Sequence, residues 1–228
     1  MNQKRFLPSL TLAVIAMQPL GAAVAAEASS LSDMFTGSSA STSFRYRYES
    51  VDQDGIDKQA NASTLKSRLT WTSATYQDFK TVLEFDNVTV IGGENYKTPT
   101  NGKAVYPIVA DPKGTDVNQA YVHYQSSDLS ATLGRQRILH GGQRFLGGVG
   151  WRQNEQTFDA LRLTLPDFNS VKIDYSYIWN VNRIFGPVDS AGQAKQWSSD
   201  SHSLLLYLTG INWPLTYMAG GLGLLVSA

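Results

Sequence analysis

The chain has 228 residues, of which 42% are hydrophobic and 17% charged, with 19 basic residues balanced by 19 acidic ones. The absence of cysteine excludes a disulfide-stapled scaffold, and an aromatic content of 11% argues against a disordered chain. Charges that cancel offer nothing to nucleic acid, so a basic DNA-binding domain is also set aside.

Residues 1–26 have the order of a secretory signal. Lys4 and Arg5 come first, then an apolar run over residues 6–17, then small residues around Ala23, Val24 and Ala25. Pro8, Gln18 and Pro19 interrupt that run, which falls short of the roughly 20 apolar residues a spanning helix needs. Removing Lys4 and Arg5 leaves 17 basic against 19 acidic residues, a slightly acidic exported product. Residues 27–41 follow as a short periplasmic N-terminal segment.

From Thr42 the dominant pattern is period two. Phe44, Tyr46 and Tyr48 alternate with Arg45, Arg47 and Glu49, which predicts a strand with one greasy and one wet side. The same reading holds for residues 65–71, with Lys66 and Arg68 on the wet side. It holds for residues 79–86, where Phe79, Leu83 and Phe85 oppose Lys80, Glu84 and Asp86. Along residues 171–181, Ile173, Tyr175, Tyr177 and Trp179 oppose Lys172, Asp174, Ser176 and Asn180. Weaker alternation near residues 117–124, 130–137, 157–165 and 202–209 brings the expectation to eight strands.

The connections alternate in length. Residues 52–62, 91–116, 138–153 and 182–201 are long, whereas 73–78, 126–129 and 166–170 are short. An outer-membrane barrel has short periplasmic turns and long external loops, a bias that a soluble β-sandwich or secreted lectin-like domain has no reason to show. Aromatic residues near strand ends (Tyr46, Tyr48, Trp71, Tyr76, Phe79, Tyr175, Tyr177, Trp179) read as interfacial girdles. Backbone groups in lipid must be satisfied internally, so such strands belong to a closed barrel.

Eight strands alone close a barrel only just wide enough for side chains to fill. The wet faces carry too many charges for such an interior unless nearly all of them pair, so the sheet is expected to be about eight strands of a larger, hydrated barrel. Residues 42–210 supply those strands and loops. Residues 211–228 carry no charge and alternate poorly. They are read as a ragged last strand, as part of an apolar span opposed by Pro214 and four glycines, or, the favoured reading, as the product of a frameshift or truncation.

Several separated motifs resemble the alginate-export-like family of Gram-negative outer-membrane porins. They are residues 134–138 (GRQRI), residues 143–160 (QRFLGGVGWRQNEQTFDA), residues 44–49 (FRYRYE), the loop around residues 106–112 (YPIVADP) and residues 180–186 (NVNRIFG). The similarity covers about residues 43–210. It implies an antiparallel transmembrane β-barrel with more strands than these eight, a hydrated lumen, and passage of small or polyanionic solutes. It places the chain in the outer membrane, with lipid, lipopolysaccharide and the outer-membrane assembly machinery as partners.

The channel-lining candidates are Arg45, Arg47, Glu49, Lys66, Arg68, Lys80, Glu84, Asp86, Arg135, Arg137, Arg152, Glu155, Asp159, Lys172 and Asp174. Their cations have two possible roles: to lower the energy of carboxylates or phosphates in the lumen, or to pair with Glu49, Glu84, Asp86, Glu155 and Asp159 across strands. Mixed signs on neighbouring strands give pairing the larger weight. An excess of nine basic over six acidic candidates leaves a mild bias toward anionic solutes.

No cofactor or metal is called for. The histidines are His123, His140 and His202, without metal-ligand spacing, and no Gly-x-Ser-x-Gly elbow frames a serine, so an enzyme is not expected. His123 is placed on the wet face of a strand and His140 in a solvated glycine-rich loop. Gly141-Gly142 and Gly147-Gly148 mark a flexible or inward-folded external loop, a possible constriction. The alternative to a channel is a small closed eight-stranded outer-membrane barrel with a structural or adhesive role.

Overall fold

The computed structural model describes residues 27–143, 146–168, 171–186, 197–208, 214–220 and 223–227. The segment expected to be a signal, residues 1–26, lies outside them, as do Arg144, Phe145, the tip of the fourth long loop and residues 209–213.

Ten antiparallel strands lie side by side in chain order: β1 (Ser39–Val51), β2 (Ala60–Thr72), β3 (Phe79–Val90), β4 (Gly114–Gln125), β5 (Ser130–Gln136), β6 (Thr157–Phe168), β7 (Val171–Asn182), β8 (Trp197–Leu208), β9 (Pro214–Gly220) and β10 (Gly223–Ser227). The eight expected strands correspond to β1–β8. Most of them run to 12 or 13 residues, long enough to cross a hydrocarbon core, which takes about 9–11 tilted residues. Two short strands continue the sheet into the charge-free tail. Pro214 is compatible with this because it is the first residue of β9, where its missing N–H breaks least of the ladder.

The two faces of this sheet are inverted relative to a soluble protein. Phe44, Leu69, Phe79, Phe85, Val122, Leu133 and Leu165 are large, apolar and exposed, while Arg47, Thr64, Lys66, Glu84, Asp86, Gln119, Asp174, Ser176 and Ser203 are buried. A sheet that hides its charges and displays its phenylalanines is matched to hydrocarbon outside and polar groups within. Phe79 and Tyr124 pack across β3–β4 with ring centroids 4.9 Å apart, at the end of the sheet where the short turns lie.

Two of the long connections turn back onto the polar face instead of extending away from it. The first arm, residues 91–113, seats Tyr96 and Val109 on Ala60 and Ala62 of β2, flanked by Val51 and Val90. Burial, with Glu94 and Asp111 nearby, pushes the Tyr96 phenol above its ordinary range. The second arm, residues 137–156, packs Ile138 and Leu146 against Phe158, Ala160 and Ile178. Gly134 supports the close fit of β4 and β5: its φ is +121°, and a Cβ there would lie 2.4 Å from the Ala120 carbonyl oxygen.

Residues 27–38, in the segment expected to be periplasmic, contain one short helix, α1 (Leu31–Thr36). The Ser30 hydroxyl caps it by accepting from the Asp33 N–H at 3.1 Å.

Candidate functional site

Among the described residues the polar face carries four charge clusters, some set by strand register and others by the inward-folded arms. On β2 and β3, Arg68 stands opposite Asp86 and Thr70 opposite Glu84. The Arg68 guanidinium forks onto both Asp86 oxygens at 2.7 Å, lies 3.4 Å from Glu84, and reaches Glu155 of the second arm at 3.0 Å. Lys66 lies 3.9 Å from Asp86 and 3.7 Å from Glu155. Arg137 closes the ring through Glu155 at 2.5 Å and through Glu84. Three cations therefore face three carboxylates, and the cluster is neutral.

A register shift between Glu84 and Phe85 inserts Asn118 into this cluster. Its amide donates to Glu84 at 2.7 Å and to Glu155 at 3.1 Å. Burial alone would raise the Glu155 carboxyl, but Arg68, Arg137 and Lys66 together hold it down at about 2.

The second cluster fastens the second arm to β1. Arg45 donates to the carbonyls of Gly150 (2.9 Å) and Arg152 and to the Gln153 side chain (3.0 Å). Arg47 donates to the Trp151 carbonyl and to Glu49 at 2.6 Å, and Arg152 reaches Glu49 at 2.9 Å. Gln153 is wholly buried, and its amide donates to the Thr64 hydroxyl at 2.9 Å and to the carbonyls of Thr64 and Arg45. Asp111 of the first arm accepts from the Gln153 N–H at 2.9 Å and lies 3.4 Å from Arg47 and 3.6 Å from Arg152. The two arms thus share one anchor. Three cations meet two carboxylates here, and Arg45 has no carboxylate partner among the described residues. Trp151 is exposed beneath the guanidinium of Arg152, which lies 4.2 Å from its ring centroid.

The third cluster is Arg135 with Asp159, opposite one another on β5 and β6 at 2.8 Å, with Asn180 and Asn182 also donating to Asp159. Asp116 lies 3.7 Å from Arg135. In the fourth, Arg162 grips Asp174, and His140 sits between Asp174 (3.8 Å) and Ser203 (3.3 Å).

Thirteen of the fifteen candidate positions thus fall into these clusters. Arg137, Arg152 and Glu155 do so from the second arm instead of the wall. Lys80, opposite His123, and Lys172, which is exposed, carry no ion pair among the described residues. Asp111, Asn118, Gln153 and Arg162 were not anticipated from the sequence. His140 is a correction: expected to be solvated, it is 4% exposed because its loop folds inward. His123 meets Thr132 across β4–β5 at 2.9 Å, and His202 bonds the Tyr175 hydroxyl at 2.7 Å.

A meandering antiparallel sheet with an apolar exterior and a charged, loop-filled interior defines a portion of a transmembrane β-barrel. Residues 38–178 match the alginate export family, and the chain belongs to that family. Its fold is similar to that of the crystal structure of Acinetobacter baumannii OccAB1, at a TM-score of 0.59 and 14% identity, over 82% of this chain and 46% of that one. The chain thus spans less than half the length of that protein. No curated protein matches it.

Proposed function

We propose that the chain forms part of the wall of an outer-membrane channel for passive passage of small or anionic solutes, narrowed by its own second arm. The observation that supports this most is the anchor at Arg45, Arg47 and Gln153. It holds a loop against the inner wall by backbone carbonyls and leaves a cation excess beside an exposed tryptophan. Polar rings of this kind are what set solute preference in pores. Membership in the alginate export family supports transport over catalysis.

Planar-bilayer recording of the protein tests the reading. Discrete conductance with a reversal potential on the anion side in a salt gradient is expected, and cation selectivity would remove the anion preference. The near-complete pairing of the inner charges favours a second reading, a closed barrel with a structural or adhesive role. Such a barrel gives no conductance and no swelling of solute-loaded liposomes.

A further inference from the structure

We infer that helix α1 is an interfacial anchor, laying Leu31 and Phe35 among the phospholipids of the periplasmic leaflet. The inference rests on the membrane reading above and extends it to a segment outside the sheet. Leu31 and Phe35 are one helical turn apart and therefore share a face, and they are 63% and 62% exposed. Two large apolar side chains held in water gain nothing for a periplasmic tail.

Their position is fixed. Met34 of α1 is buried, its carbonyl accepts the Ala74 N–H at 2.9 Å, and the Ala28 N–H donates to the Thr75 carbonyl at 2.7 Å. These bonds tie the helix to the short β2–β3 turn. Phe35 then stacks on Trp71, with ring centroids 6.1 Å apart and planes within 19°. Trp71 belongs to the apolar face, opposite Ala40 of β1 and Leu83 of β3 and two residues from exposed Leu69. The lipid-facing surface therefore runs without a break from the wall onto the helix. Ser32 and Thr36 are exposed beside it, and Asp33 is held by Ser29 and Ser30, which gives α1 the polar side an interfacial helix needs. The last turn has no basic residue, so docking depends on apolar contact and not on anionic headgroups.

Because the chain has no cysteine, single-cysteine variants need no prior background removal. Leu31→Cys, Phe35→Cys, Leu133→Cys on the apolar wall and Asp54→Cys in the β1–β2 loop, each carrying a nitroxide, are folded in the full chain into phosphatidylcholine vesicles. Power saturation with oxygen and with a nickel chelate then reports depth. At positions 31 and 35 oxygen should outcompete nickel several-fold, at a shallower depth than at 133, and at 54 the order should reverse. Nickel access at 31 and 35 equal to that at 54, with 133 still oxygen-dominated, overturns the anchor alone. Nickel access at 133 as well overturns the membrane reading and the anchor with it. Leu31→Cys serves by itself should loss of the Phe35 stack impair folding.

Discussion

Arg45 and Arg47 on β1 and Lys66 and Arg68 on β2 are the same pattern, two cations spaced two apart on neighbouring strands, yet they do different work. On β2 the cations have β3 beside them, and register delivers Glu84 and Asp86 into reach. On β1, which pairs with β2 among the described residues, Arg45 turns to what the second arm offers, carbonyl oxygens and one glutamine, while Arg47 divides between the Trp151 carbonyl and the carboxylates of Glu49 and Asp111. The first arrangement stiffens wall against wall and also takes Glu155 of the second arm. The second fastens the second arm to the wall, and Arg45, which binds carbonyls and a glutamine, carries a charge that no carboxylate among the described residues pairs. The partners that register and the arms deliver, and not residue type, decide which role a polar-face arginine takes.

The sharpest way to break this contrast is Arg68→Met. It leaves Glu84, Asp86 and Glu155 facing only Lys66 and Arg137, and removing one member of a buried charge network costs about 3–5 kcal/mol. Urea unfolding of the refolded protein in detergent should show that loss. The outer face provides the next largest effect: Leu133→Lys places a charge on the lipid side, at a cost of about 2–4 kcal/mol near the bilayer midplane and less toward the interface. An equal loss in lipid and in plain detergent-free buffer would contradict the inverted faces.

Gln153→Ala tests the arm anchor. Its three acceptors on Arg45 and Thr64 lose their donor, worth about 1–3 kcal/mol in a buried site, and the second arm loses its deepest attachment. Larger and noisier single-channel conductance is expected, with the β2–β3 seam intact. Acid approaches the same arm from the other side. Glu155 is depressed in the folded state, so its contribution is present above its ordinary value of 4.5 and fades as pH falls through about 2. Conductance should hold steady from pH 7 to 5 and rise only below about 4.5, as the proton weakens the ties to Arg68 and Arg137.

How much of this could be read from the chain depended on range. Alternation along β1, β2, β3 and β7 is a property of adjacent residues, and it located those strands and the sign of each face. The arm anchor is not local: Arg45 and Gln153 are 108 residues apart, and no period connects them. The motif around Trp151 announced a special loop without saying what it touches. Asp111 and Gln153 are single polar residues in irregular loops, visible only once both arms fold inward. Asn118 depends on a bulge, which shifts a side chain without altering composition. His140 was misplaced because flanking glycines suggest a solvated tip, whereas Ile138 and Leu146 pull this stretch into a small apolar core. The charge total carried a condition, that a filled interior needs nearly all its charges paired, but not which side chains meet: register and the two arms together supply those pairs.

Lys80 and Lys172 make the smallest and most discriminating test of the comparison, since neither makes an ion pair to a wall seam or an arm among the described residues. A polar-face lysine without a carboxylate partner contributes little to stability, so Lys80→Ala and Lys172→Ala should each fall within about 0.5 kcal/mol of the unmodified protein in urea unfolding. No carboxylate among the described residues pairs with either, so in an open lumen their charge acts on the solute instead. Lys80→Ala should therefore shift the reversal potential in a salt gradient toward cations, while Arg68→Met, which empties a paired site, changes stability far more than selectivity. Should the two variants swap these signatures, Arg68 would be the residue facing the solute and Lys80 the structural one, and the division between sealed seam and available charge would have to be redrawn.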